Sequence, residues 1–136
     1  MTARKHTAKN LAQAWLKTHE VAGRNTKVGL NFTYDGWIFL LWHDADDPMF
    51  FRLVLPGILD VTDQNYARAL MACNTVNWSY KVVKASLYEY DEAGKRQASV
   101  WLCFEQMLDD EASPEIVSRA VTALVDAAEG FQNLLE

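Results

Sequence analysis

Residues 26–44, "TKVGLNFTYDGWIFLLWHD", decide the fold class. Val28, Leu30, Phe32 and Tyr34 alternate with Lys27, Gly29, Asn31 and Thr33. Successive side chains of a strand point to opposite faces, so this pattern predicts a strand with one dry face. Asp35-Gly36 then joins it to a second apolar run. A two-residue type I′ turn needs positive φ at both central positions, which Asp and Gly tolerate. Such a turn sets the register: Tyr34 opposite Trp37, Phe32 opposite Phe39, Leu30 opposite Leu41. The second run, "WIFLLW" at 37–42, hardly alternates. Ile38, Leu40 and Trp42 must therefore leave the face that carries Phe32 and Phe39.

Working outward, "HDADDP" turns the chain again, and "MFFRLVLPG" (49–57) reads as a third strand stopped by Pro56-Gly57. Putting Met49, Phe51, Leu53 and Leu55 inward leaves Phe50, Arg52 and Val54 outward. The opposite choice would bury Arg52, which is costly without a partner. The outer face thus gathers Ile38, Leu40, Trp42, Phe50 and Val54, extended by Tyr88 and Trp101 on the same period of two. So much large apolar surface on one face needs a cover. Two covers are open: one of the chain's own helices, or another chain.

Helices flank these strands. Ala8, Leu11, Ala12, Trp15 and Leu16 form one helical stripe within 5–20, and Gly23 and Asn25 punctuate its end. In 60–80, Tyr66, Ala69, Leu70, Cys73 and Val76, with Trp78 near the end, lie at helical spacing, and Thr62 or Asp60 is available as a cap. Residues 80–108 read as two strands around a turn at "DEAGK", with Val83, Ala85 and Leu87 on one face of the first. Ala98, Val100, Leu102 and Phe104 line one face of the second. The last helix opens with Ser113 as N-cap and Pro114 at its first position. Its apolar stripe runs from Ile116 to Leu135, with Gly130 as a weak point or bend. The order is helix–three strands–helix–two strands–helix, an α+β fold with an antiparallel sheet, taken as one domain over 1–136.

The chain carries a formal charge of −5 with a pI near 5.1. That field repels phosphate backbones and speaks against nucleic acid as a partner. Arg4 and Lys5 in "MTARKH" read as a solvated end. No run approaches the ~18 apolar residues of a membrane span, and no apolar stretch follows the first charges as in a secretory signal. Cys73 and Cys103 are not a CxxC pair and read as buried thiols of a reducing cytosol. The expected location is cytoplasmic.

Chemistry-bearing patterns are sparse. "HDADD" clusters His43, Asp44, Asp46 and Asp47, a set able in principle to hold a divalent ion, but it lacks the rhythm of a calcium loop. A solvated turn that blunts a sheet edge is the plainer reading. There is no G-x-S-x-G and no Gly-rich phosphate loop. The expectation is no enzyme and no cofactor.

The element order, with "YARALMACNTVNWSYKVVKASLYEYDEAGKRQASVWLCFE" (66–105) and the closing "SPEIVSRAVTALVDAAEGFQNLL" (113–135), resembles the type III secretion chaperone-like fold. Within it, the chain is similar to the YbjN-like family of bacterial sensory transduction regulators. Asn74 and Asn77 are the polar positions this resemblance carries over, and Asn near a helix end suits a structural role. Secretion chaperones of this fold are acidic dimers that hold an extended effector segment on apolar patches. The resemblance therefore implies a non-enzymatic homodimer that binds an unidentified protein or peptide. Ile38, Leu40, Trp42, Phe50, Val54 and Trp101 are its expected interaction surface. Two alternatives stand beside it: a dedicated type III secretion effector chaperone, and a small metal-binding sensor or enzyme built on the His43–Asp47 turn.

Overall fold

The structure is a computed structural model that describes residues 6–136; Arg4 and Lys5 lie outside the described residues. Three helices, α1 (Ala8–Thr18), α2 (Tyr66–Ser79) and α3 (Glu115–Leu135), accompany six strands. The strands are β1 (Gly23–Asn25), β2 (Gly29–Tyr34), β3 (Trp37–Trp42), β4 (Phe50–Asp60), β5 (Val83–Glu92) and β6 (Lys95–Met107). They form one antiparallel sheet in the order β1-β2-β3-β4-β6-β5. The fold is α+β.

The central hairpin has the register expected from its turn, with Tyr34 opposite Trp37, Phe32 opposite Phe39 and Leu30 opposite Leu41. Asp35 and Gly36 have φ of 52° and 81°, the positive values such a turn demands. Inward residues of five strands join one core with all three helices, and Trp15, Phe39, Phe51 and Phe131 are its largest fully buried side chains. The helices therefore share one face of the sheet.

Three expectations need correction. First, the hairpin is preceded by a strand that the sequence pattern does not predict, because β1 is three exposed residues held by backbone pairing. Gly23 and Asn25 thus belong to an edge strand and do not end α1. That helix is closed by Glu20 at φ 56°, with the Val21 amide donating to the Leu16 carbonyl at 2.9 Å and the Glu20 amide to Lys17 at 3.3 Å. This is a Schellman closure built without glycine.

Second, Pro56-Gly57 does not stop the third long strand. β4 runs to Asp60 through a bulge: Leu55 pairs with Leu102 and Leu59 with Val100, so Pro56, Gly57 and Ile58 all face Trp101. A bulge accepts a residue without an N–H, and Gly57 at φ 62° takes the left-handed bend.

Third, the α2 stripe is narrower than its spacing suggested. Ala69, Ala72, Cys73 and Val76 are buried, whereas Tyr66 and Leu70 are exposed and Trp78 is 90% exposed. The helix begins after Asn65, whose side chain caps none of the helix amides, while the Thr62 hydroxyl, one of the two expected caps, accepts an amide at the helix entrance. The Thr62 amide donates to Asn65 Oδ1 at 2.7 Å, and the Asn65 amide returns a bond to Thr62 Oγ1 at 3.3 Å.

On α3, Gly130 is a packing requirement. A Cβ there would sit 1.9 Å from the Tyr80 hydroxyl oxygen, so the missing side chain admits the ring that follows α2. Pro114 has helical φ and ψ of −57° and −20° but stands one residue before the helix, and the helix starts without a side-chain cap there.

Candidate interaction surface

With all three helices on the inner face, no helix among the described residues covers the outer face of the sheet. The chain instead covers it with its own side chains lying flat. Trp101 from β6 stacks on Tyr88 of β5 with centroids 4.2 Å apart and reaches Trp42 of β3 at 6.2 Å. Its indole N–H donates to Ser99 Oγ at 2.8 Å, which holds the ring in place. Tyr90 continues the ladder beyond Tyr88 at 6.1 Å. Arg52 of β4 lies over the rings of Phe50 and Trp42, 5.0 and 5.9 Å from their centroids.

Arg52 also anchors a charged cluster. Its Nε donates to Glu105 Oε2 at 3.0 Å, while Lys84 Nζ meets Glu105 Oε1 at 2.6 Å. Burial would push the Glu105 carboxyl up, but the hydrogen bonds and charges of Lys84 and Arg52 outweigh it and hold the group below its usual range. Cys103, paired with Val54 across the strands, is a free thiol on the floor of this face. Burial, aided by the Glu105 charge, pushes it up to about 11, with Arg52 and Lys84 pulling weakly the other way. Such a thiol is neutral and unreactive near pH 7.

The expected surface residues take different positions. Ile38 is 60% exposed and stands free. Leu40, Trp42, Phe50 and Trp101 are half-buried, the last three offering rings and Leu40 an aliphatic side chain. Val54 is only 2% exposed, so it is floor beneath the rings rather than a contact residue, because Trp42, Arg52 and Trp101 border the same shallow depression. Asn74 is exposed on α2 and has no hydrogen-bond partner among the described residues. Asn77 donates from Nδ2 to the Ala85 carbonyl at 3.1 Å and accepts from the Ala85 amide at 2.6 Å. Its amide occupies the donor and acceptor that β5, an edge strand, would otherwise present. Strand addition at that point of the edge is thereby blocked.

The His43–Asp47 turn does not form a ligand set: among the described residues no three His, Cys, Asp or Glu side chains converge as metal ligands. The Asp44 carboxylate is engaged by the turn itself, accepting from the Asp46 amide at 2.9 Å. Cys73 faces the inner core while Cys103 lies on the outer face, so the two thiols are separated by the sheet.

The Arg52–Glu105–Lys84 cluster escaped the sequence reading, as did the β5 partner of Asn77, a residue expected to be structural. Strand periodicity does put Glu105 outward with Trp101. Its meeting with Arg52 depends on β4 lying beside β6, an adjacency separated by a helix and a strand along the chain. Met71, Trp78 and Val82, on and just after α2, are also exposed apolar residues, with Val82 at φ 56°.

Among known proteins, no curated protein matches the chain. The crystal structure of YbjN, described as "a putative transcription regulator from E. coli", superposes with a TM-score of 0.60 at 15% identity, over 88% of this chain and 84% of that one. It shows the shared fold. The family model "YbjN: Putative bacterial sensory transduction regulator" matches residues 18–136, and the chain therefore belongs to the YbjN family.

Proposed function

We propose that the protein is a non-enzymatic, cytoplasmic binding domain. In this reading it pairs with a second copy through the outer sheet face and captures a partner polypeptide on the apolar surface left free. The uncovered outer face carries the reading. Three helices bury the inner face, yet Ile38, Leu40, Trp42, Phe50, Tyr88 and Trp101 remain at the surface of the other. Sheet faces of this kind pack on one another at about 10 Å, and aromatic residues with Arg are the side chains that dominate interface energies. Met71 and Trp78, exposed on α2 away from the outer sheet face, stay reachable in such a pair and suit a docked segment. The regulator description of the family fits a protein that acts by binding. With a net charge of −5, regulation through protein contacts is favoured over direct contact with DNA.

Light scattering tests the reading. The wild type is expected at twice the chain mass of 15.5 kDa. Ile38→Asp, at a position too exposed to unfold the monomer, is expected to run at the single-chain mass with its thermal transition retained. A wild type that stays monomeric at every concentration refutes the dimer.

A further inference from the structure

A cavity of about 450 Å³ opens on the helix side of the molecule, between the tip of the β2–β3 hairpin, the end of α1 and one face of α3. Its size lies within the roughly 300–1,000 Å³ typical of small-molecule sites. It is independent of the outer face and goes beyond the function proposed above. Trp15 forms its inner wall and is 2% exposed. The indole N–H of Trp15 donates to Ser118 Oγ at 2.8 Å, which fixes that ring between α1 and α3. Tyr34 stands edge-on to it with centroids 5.1 Å apart, and Trp37, opposite Tyr34 in the hairpin, adds a third aromatic wall.

Three carboxylates line the same cavity: Asp35 from the turn, and Asp126 and Glu129 from α3. Asp126 and Glu129 are three residues apart and so share one side of the helix. Among the described residues no Lys, Arg or His lines the cavity, and the nearest basic ring, His19, is stacked on Trp15 at 4.2 Å. Among the described residues none of the three acids has an ion pair or a side-chain hydrogen bond. Unneutralised carboxylates beside aromatic faces attract a positive group that is also apolar. The acids supply Coulomb attraction, and the ring quadrupoles supply cation–π attraction to an alkylammonium group. A metal ion fits poorly, because rings cannot replace its oxygen or nitrogen ligands and no metal-ligand group is present among the described residues.

We propose that this pocket binds an organic cation, recognising an alkylammonium group against Tyr34 and Trp37, over a floor made by the buried Trp15, with Asp35, Asp126 and Glu129 as counter-charges. The group can arrive as a free small amine or as a lysine side chain of a partner.

The test is a titration of the full chain, labelled with ¹⁵N, followed through its indole N–H resonances. The probes are tetramethylammonium chloride, spermidine and a short Lys-containing peptide, with NaCl at matched ionic strength as control. The expected result is a saturable shift of the Trp37 resonance that NaCl does not reproduce, with Trp78 unmoved. Trp37→Leu is expected to weaken binding about tenfold. The double variant Asp126→Asn with Glu129→Gln, at exposed positions that leave the fold intact, is expected to weaken it about tenfold or more. Saturation by the free amines supports a small-molecule ligand. Saturation by the peptide alone supports a lysine side chain. A Trp37 resonance that responds to no probe beyond the NaCl control overturns the proposal, and so does undiminished affinity in the double variant.

Discussion

The two faces of the sheet are both apolar, but they are covered in different ways. On the inner face, Phe39, Leu41, Phe51, Leu53 and Leu102 have no exposed surface and meet three helices. On the outer face, rings lie across one another and Arg52 spans them, tied to Glu105. The inner face is sealed by main-chain layers. The outer face is sealed only by its own side chains, so Val54 is buried while Ile38, opposite Thr33 on the neighbouring strand, stands in the open. An apolar strand run therefore does not require a second layer within the same chain. Trp, Tyr and Arg are long enough to roof a sheet face while leaving contact surface above it.

The sharpest way to break this contrast is a pair of neighbours on β3. Phe39→Ala removes a fully buried ring stacked on Phe32 at 5.4 Å and is expected to cost about 3–5 kcal/mol in chemical denaturation. Ile38→Ala, one residue away, is expected to change monomer stability by less than about 0.5 kcal/mol. Comparable losses at the two positions would mean that the outer face is packed as tightly as the inner one.

The inner layer should also resist added volume. Gly130→Ala gains helix propensity but drives a methyl into the Tyr80 ring, and a net loss of about 1–3 kcal/mol is expected. Combining it with Tyr80→Ala should cost less than the sum of the single changes, which a double-mutant cycle of melting curves would show.

On the outer face, Glu105→Gln leaves Arg52 and Lys84 facing each other. Their exposure of 36% and 60% limits the effect to about 1 kcal/mol. Because the folded Glu105 pKa is depressed, its contribution is complete above the unfolded-state pKa. It is lost as pH falls through the folded-state pKa. Glu105→Gln should therefore flatten the acid side of the stability curve. The smallest effect near neutral pH concerns Cys103. Its raised pKa removes stability only as pH climbs from 9.0 towards about 11. At pH 8, alkylation of Cys103 in the folded protein should be far slower than in urea.

Much of this architecture could be read from local patterns. The alternation of Val28 to Tyr34 and the Asp35-Gly36 turn determine which side of β3 is dry, and the Arg52 argument orients β4 correctly. The family resemblance, carried by residues 66–105 and 113–135, agrees with the family match over 18–136. What could not be read depends on chain segments meeting at a distance. β1 is recognisable only by its partner strand, and the bulge after Leu55 only by its pairing with β6. Trp78 and Leu70 sit at helical spacing yet face outward, because periodicity marks a face without saying what it meets. The flat packing of Trp42 and Trp101 likewise follows from β4 lying between their strands.

Hydroxyl-radical footprinting at increasing protein concentration tests the central claim most directly. Pairing through the outer sheet face lowers oxidation of Ile38, Trp42 and Tyr88 as concentration rises, while Trp78 on α2 is oxidised equally throughout. Constant oxidation of Ile38 and Tyr88, with protection appearing at Trp78 instead, would contradict it and move the contact surface from the open sheet face to the helix.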